Sequence, residues 1–129
     1  MAFIEINNIH VHYECWNEHG DETVVLLHGF TGSTKTWHEV AALLPKTYRI
    51  IAVDLIGHGQ TDSPEEATYY TMKYQIKLLH KLFEELQLKQ FHLVGYSMGG
   101  RVALSYAVQY PEELVSLILE SATPGIKDE

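Results

Sequence analysis

Hydrophobic residues in this chain form short unbroken runs, separated by longer stretches in which they recur with helical spacing. Four runs are almost wholly apolar, at 24–28, 48–54, 91–94 and 114–120. Such runs are typical of strands that are buried on both faces of a parallel sheet. Ahead of them, residues 3–16 read as two short strands around Asn7 and Asn8, which predicts an antiparallel hairpin.

Between the apolar runs, hydrophobic residues recur every three or four positions, which predicts amphipathic helices. The first helix is expected to begin near Thr36, which fits a capping box with Glu39, and to end at Pro45. Two further helices are predicted over 71–88 and 98–110. Because strands alternate with helices after an opening hairpin, the fold class is predicted to be α/β, with a mainly parallel sheet and helices on both faces.

The composition favours a single globular domain in the cytoplasm. The chain has 129 residues, of which 46% are hydrophobic and 20% are charged. Its apolar runs are much shorter than the ~18 residues that a membrane span requires, and its first residues lack the features of a secretion signal. The single cysteine, Cys15, cannot form an internal disulfide. We therefore expect a cytoplasmic protein without membrane partners.

The net charge of −8, from 17 acidic and 9 basic residues, limits the ligands that we expect the chain to bind. Nucleic-acid binding needs a concentrated basic face, which this composition disfavours. An anionic substrate would be repelled overall and would need a locally placed arginine or lysine. The sequence has no nucleotide fingerprint. His10 and His12 have a spacing on one strand face that can bind metal, but no further metal ligands are evident. We expect a solvated strand face at these two histidines, and no cofactor or metal.

The strongest chemical signal is G-Y-S-M-G at 95–99, a G-x-S-x-G motif between a predicted strand and a predicted helix. This turn would lift Ser97 clear of the sheet at a helix N-terminus, where N–H groups such as that of Met98 favour developing negative charge. A serine that only caps the helix is the structural alternative. A second motif weighs against it, because H-G-F at 28–30 offers the N–H of Phe30 as another oxyanion donor.

Together with D-L-I-G-H-G-Q-T-D at 54–62, these motifs resemble the N-terminal half of an α/β-hydrolase. Arg101 and E-S-A-T-P-G at 120–125 resemble, more narrowly, the synthases of menaquinone biosynthesis that expel pyruvate and form 2-succinyl-6-hydroxy-2,4-cyclohexadiene-1-carboxylate. The resemblance covers nearly the whole chain. It implies an α/β-hydrolase-type fold truncated after the strand that follows the G-x-S-x-G helix, with residues 1–129 forming the N-terminal part of one domain.

The resemblance also implies an unusual use of a serine, histidine and acid triad. In that family the serine acts as a base that removes a proton next to a carbonyl, and pyruvate leaves without an acyl-enzyme. The N–H groups of Phe30 and Met98 would hold the enolate-like oxygen that forms. Arg101, one helical turn beyond Ser97, and Tyr96 would bind a small-molecule carboxylate substrate. The alternative for Arg101 is a solvated residue paired with an acid.

The acid and base of such a triad are not evident in this chain. The chain order in this fold is serine, acid, histidine, but all eight histidines precede Ser97. We expect the acid, base and lid to follow Glu129. Residues 1–129 alone are therefore expected to be inactive. His28 is the nearest internal substitute for the base, although bracing the oxyanion loop is the simpler interpretation. Glu120 lies where some relatives place the acid. Three other histidines belong to no evident constellation: His38, His80 and His92.

A truncated sheet would leave the predicted strand Leu114–Glu120 as an apolar edge, which could pair with another chain or a second copy.

Three functions are carried forward. The leading prediction is the pyruvate-eliminating lyase. The alternatives are a carboxylic-ester hydrolase with Ser97 as its nucleophile and a non-catalytic interaction or assembly module.

Overall fold

In the computed structural model, which describes residues 2–121, the predicted strands and helices occur in the expected order. The strands are β1 (Ala2–Ile6), β2 (Ile9–Trp16), β3 (Glu22–Leu27), β4 (Tyr48–Val53), β5 (Phe91–Tyr96) and β6 (Leu114–Glu120). The α-helices are α1 (His38–Leu43), α2 (Met72–Glu85) and α3 (Met98–Gln109), and short 3-10 helices occupy Thr34–Trp37, Ala67–Tyr70 and Pro111–Glu113. The predicted α/β class is confirmed. None of the helices in this part of the chain is long and apolar enough to cross a membrane.

The strand order β1-β2-β4-β3-β5-β6 determines where loops meet at the edge of the sheet. β1 pairs antiparallel with β2, and β2 with β4, whereas β4, β3, β5 and β6 run parallel. The chain passes from β3 to β4 on one side and then crosses to β5 on the other. The loops after β3 and β5 therefore lie at a switch point, the place where open α/β sheets bind ligands.

The opening hairpin turns where it was predicted, but one face of its second strand differs from the expectation. Asn7 and Asn8 have φ values of 51° and 69°, the left-handed conformation of a type I′ turn. The prediction of a solvated face is wrong at His12, which is only 1% exposed. The ring of Phe3 packs against His12, with centroids 5.0 Å apart, and the carboxylate of Asp54 binds it from the end of β4.

The first helix also begins differently from the prediction. Residues Thr34–Trp37 form a 3-10 helix, and α1 follows it directly. The capping box consists of Ser33 and Thr36 rather than of Thr36 and Glu39. Ser33 has extended backbone, from which its side chain can accept a hydrogen bond from the N–H of Lys35.

The hydrophobic core lies on both faces of the sheet. Val25 and Leu27 of β3 pack with residues of α2 and α3, whereas the alternate residues Val24 and Leu26 pack with Trp37 on the α1 side. Within residues 2–121, β6 is an edge strand that pairs with β5 alone. Several of its hydrophobic side chains are exposed: Val115, Ile118 and Leu119.

Candidate active site

Ser97 lies at the turn between β5 and α3, in a backbone conformation that L-residues rarely adopt. Its φ is 54° and its ψ is −114°. Such a conformation costs about 1–3 kcal/mol and is retained only where surrounding contacts impose it. The Ser97 N–H donates to the carbonyl oxygen of Glu120 (2.9 Å), and the Arg101 N–H donates to that of Ser97 (3.1 Å). Within residues 2–121, the Ser97 side chain makes no capping hydrogen bond to α3. The structure therefore does not support the helix-cap alternative.

Both glycines of the motif are required by the packing around this turn. A Cβ on Gly95 would overlap the carbonyl oxygen of Gly99, and a Cβ on Gly99 would overlap the carbonyl oxygens of Leu27 and His28. The backbone of α3 therefore lies directly against the end of β3. This close approach brings the Ser97 turn to the loop that follows β3.

The loop after β3 forms the second half of the site. A Cβ on Gly29 would lie 3.0 Å from the ring of Tyr96 and 3.3 Å from the Cβ of Ser97, so this loop is in contact with the serine turn. The Gly32 N–H donates to the Gly29 carbonyl oxygen (2.9 Å), and Thr31 has a φ of 65°. This tight turn fixes the backbone on either side of Phe30.

The residues predicted to form the site lie at the carboxyl ends of β3 and β5. Met98 is the first residue of α3, where N–H groups have no intrahelical acceptor. The side chains of Phe30 and Tyr96 are 73% and 40% exposed, and the ring of Tyr96 lies beside Gly29 at the serine turn. Arg101 is half-buried on the first turn of α3 and so follows Ser97 on the same side of the helix. The roles of these residues stay predictions.

His28 is fully buried and braces the loop, as predicted. Its Nδ1 donates to the carbonyl oxygen of Gly29 (2.7 Å), and its Nε2 accepts the N–H of Leu55 (2.9 Å). Burial lowers the pKa of His28 below its usual value of 6.5. With both ring nitrogens engaged, His28 is a neutral structural group and not the base for Ser97.

A second brace, centred on Asp54, was missed by sequence reasoning. The carboxylate of Asp54 is 1% exposed and accepts hydrogen bonds from the N–H groups of Thr34 (2.6 Å) and Gln60 (2.9 Å). The third partner is Nδ1 of His12 (2.7 Å), and Gly59 packs so closely on the carboxylate that a Cβ would overlap it. Because a buried carboxylate needs its oxygens satisfied, Asp54 ties the loops after β3 and β4 to β2.

Contrary to the expectation, three more histidines have carboxylate or hydroxyl partners. Four of the five pairs join different elements, so no local motif reveals them, whereas His80 and Glu84 lie four residues apart on α2. They are His38 with Glu14 (2.8 Å), His80 with Glu84 (3.7 Å) and Glu113 (3.3 Å), and His92 with Ser116 (2.7 Å) and Glu22 (2.9 Å). Across residues 2–121, no histidine is hydrogen-bonded to Ser97, and no group of three or more side chains could hold a metal.

Comparisons with known proteins place this chain in a family. A family model described as alpha/beta hydrolase fold matches residues 22–128. A protein of Bacillus subtilis (strain 168), provisionally named as a 2-succinyl-6-hydroxy-2,4-cyclohexadiene-1-carboxylate synthase, is 47% identical over 106 residues, or 82% of this chain and 38% of that protein. The synthase of the same name from Enterobacter sp. (strain 638) is 39% identical over 106 residues, or 82% and 40% of the two chains.

A solved structure of a different enzyme has a similar fold. A membrane phospholipase A superimposes with a TM-score of 0.89 and 29% identity, over 95% of this chain and 39% of that one. The chain thus spans about two fifths of the length of these relatives. With the family match, the sheet topology and the serine turn in agreement, the chain belongs to the α/β-hydrolase fold family.

Proposed function

We propose that the whole protein is a lyase that eliminates pyruvate to form 2-succinyl-6-hydroxy-2,4-cyclohexadiene-1-carboxylate in menaquinone biosynthesis. The observation that carries the proposal is the strained turn at Ser97, held against the loop that contains Gly29. Similarity to two proteins named as this synthase supports the substrate class. The cytoplasmic location expected from the sequence stays a prediction.

In this proposal Ser97 is a base and not a nucleophile. Its oxygen takes a proton from the carbon next to a substrate carbonyl, and the electron pair moves onto the carbonyl oxygen. The N–H groups of Phe30 and Met98 hold that charge. When the pair returns, a carbon–carbon double bond forms and a carbon–oxygen bond breaks, so pyruvate leaves as its enolate and then takes up a proton.

The proposal also assigns the groups that activate and complete the site. We infer that the acid and base that act on Ser97 lie in polypeptide beyond residue 129, and that residues 1–129 form the N-terminal part of the domain. Arg101 binds a substrate carboxylate and supplies the local cation that an acidic protein needs. Tyr96, which packs beside Gly29 at the serine turn, lines the same substrate site.

Pyruvate release by the complete protein tests the lyase directly. The pyruvate-bearing precursor is the substrate, and a coupled dehydrogenase assay measures the product. Ser97→Ala should lower the rate by about 1,000-fold or more. Ser105→Ala, on the same helix but away from the turn, is the control and should retain the rate. Arg101→Lys should raise KM about 10-fold to 100-fold, because charge-assisted hydrogen bonds contribute about 1.5–3 kcal/mol.

A carboxylic-ester hydrolase is the second candidate, because the turn also suits a nucleophilic serine. In addition, a solved structure with a similar fold is that of a phospholipase. Rapid turnover of p-nitrophenyl esters, with an acyl group trapped on Ser97 in the mass spectrum, would favour the hydrolase and reject the lyase. If the complete protein released no pyruvate and turned over no ester, and Ser97→Ala left its other properties unchanged, the chain would instead be a non-catalytic module.

We further propose that β6 pairs with another polypeptide through its open edge. Val115 and Ile118 are each 54% exposed on this strand, and unpaired apolar edges favour association. Sedimentation velocity should show association of the chain, and Ile118→Lys should reduce it. Val108→Lys on α3, where the residue is 77% exposed, is the control. A monodisperse wild-type monomer that melts cooperatively would contradict this proposal.

A further inference from the structure

A cleft of about 330 Å³ lies between α2 and α3, away from the serine turn. Its volume is within the range of small-molecule sites, roughly 300–1,000 Å³. Ser105 and Gln109, in the second half of α3, line it together with Tyr110, which follows this 12-residue helix that begins beside Ser97. Ser105, the lining residue of α3 nearest to Ser97 in sequence, is about 12 Å from it along the helix. The cleft and the serine turn are therefore separate sites.

The α2 side of the cleft carries unbalanced positive charge. Lys73 and Lys77 both line the cleft, and Lys81 continues the row one turn further along α2. Like charges four residues apart destabilise a helix. No acidic residue lies within four positions of Lys73 or Lys77, and α3 has no acidic residue at all. Every ion pair found between residues 2 and 121 involves a histidine rather than a lysine.

The floor of the cleft is apolar and ordered. Ile76 is 7% exposed and belongs to the main core, and Met72 packs against that core. The ring of Tyr110 stacks on that of His80 with centroids 3.9 Å apart and planes 1° from parallel, which fixes its orientation. Ser105 and Gln109 add hydroxyl and amide groups to the opposite rim. The cleft thus combines two cations with an apolar surface.

From this arrangement we propose that the α2–α3 cleft binds a small anionic amphiphile, a carboxylate with a medium-length apolar chain. The carboxylate lies between Lys73 and Lys77 and relieves their mutual repulsion, and the chain covers Ile76 and Tyr110. A free acid fits better than an anionic membrane surface, because the net charge of −8 repels an extended negative surface more strongly than a single carboxylate that lies between two lysines. The site does not depend on the chemistry proposed for Ser97.

Photo-crosslinking with an eight-carbon carboxylic acid that carries a diazirine tests this site and locates it. Peptide mapping should place the crosslinks in residues 72–77 and 105–110, and octanoate should compete. The amine of the same length should label the cleft at least about tenfold less, because it reverses the charge. The variant Lys73→Gln/Lys77→Gln should lower labelling by about the same factor, and the control Lys46→Gln/Lys89→Gln should change it less than about twofold.

Three results would overturn the proposal. The acid and the amine would label the cleft equally if only apolar contact mattered. Crosslinks would map to the exposed edge of β6 or to the serine turn if the probe simply sought apolar surface or the active site. Labelling of the cleft would survive the double variant if the lysines made no contact. The circular dichroism spectrum of the double variant should match that of the wild type, because both lysines are exposed.

Discussion

Two strands of the same sheet, β3 and β6, have nearly the same hydrophobic pattern but opposite surroundings. Val24, Val25, Leu26 and Leu27 of β3 are 8%, 0%, 2% and 0% exposed. In β6, Ile118 is 54% and Leu119 is 38% exposed. β3 has a paired strand on each side and core residues on each face, whereas β6 pairs with β5 alone in the described residues. An apolar run therefore predicts a strand, but its burial depends on neighbours elsewhere in the polypeptide.

The difference between these strands matters for the serine turn, because both of them hold it. The end of β3 packs against Gly99, and the carbonyl oxygen of Glu120 at the end of β6 accepts the N–H of Ser97. One support is deeply buried and the other is at an exposed edge. Covering β6 should therefore strengthen the weaker of the two supports of Ser97.

The largest effect is expected where α3 contacts the end of β3. In Gly99→Ala the new methyl group would overlap two backbone carbonyl oxygens, which cannot move without distorting β3. The free energy of unfolding should fall by about 4 kcal/mol or more, measured by urea denaturation. Ser105→Ala on the same helix is the control and should change it by less than about 1 kcal/mol. Equal stability of the two variants would refute the close packing described here.

A matched pair of truncations compares the two strands directly. Leu27→Ala in β3 should cost about 2–5 kcal/mol, because it leaves a cavity in a closed core. Leu119→Ala in β6 should cost less than about 1 kcal/mol, because the side chain is already in partial contact with water. Denaturation midpoints of the two variants measure the difference. If Leu119→Ala were as costly as Leu27→Ala, β6 would be covered in solution.

The strain at Ser97 predicts a variant that is more stable than the wild type. In Ser97→Gly the residue can adopt a φ of 54° without steric cost, so stability should rise by about 1–2 kcal/mol. Ser97→Ala keeps the Cβ and should gain little. Thermal melting of both variants separates relief of strain from loss of the hydroxyl, and the interpretation fails if glycine gives no advantage over alanine.

Acid sensitivity should come partly from His28. Burial holds its folded-state pKa below 6.5, so unfolding below that pH takes up a proton. The contribution of neutral His28 to the free energy of unfolding is complete above pH 6.5. It is lost as the pH falls below that value, by at most about 1.4 kcal/mol per pH unit. His28→Asn should be less stable at pH 7.5 but should lose less stability between pH 7.5 and 5.5. An unchanged pH dependence would show that His28 does not titrate on unfolding.

Much of the fold was predictable because its signals are local. The turn at Asn7 and Asn8, the apolar runs and the helical spacing each lie within a few residues, and β6 was predicted with its exact bounds. The buried pair of His12 and Asp54 was not predictable, because 42 residues separate the partners. The alternation in β2 suggested a solvated face, and only the packed sheet shows that Phe3 covers it.

The candidate site divides in the same way. G-x-S-x-G and H-G-F are local motifs, and the structure brings them into contact through Gly29 and Gly99. The support around Asp54 comes from three separate segments, and the motif at 54–62 contains Gly59 and Gln60 but not the partners His12 and Thr34. The roles of Arg101 and Tyr96 depend on a bound substrate, which neither the spacing of residues nor their burial supplies.

The central claim is that the backbone N–H groups of Phe30 and Met98 face one point beside the Ser97 oxygen. A high-resolution crystal structure of the complete protein with a bound anion tests this claim most directly. We predict one acceptor atom within about 2.7–3.1 Å of both nitrogens and next to the serine oxygen. If either N–H pointed to a different acceptor, or if the serine hydroxyl capped α3, the proposed chemistry would be contradicted.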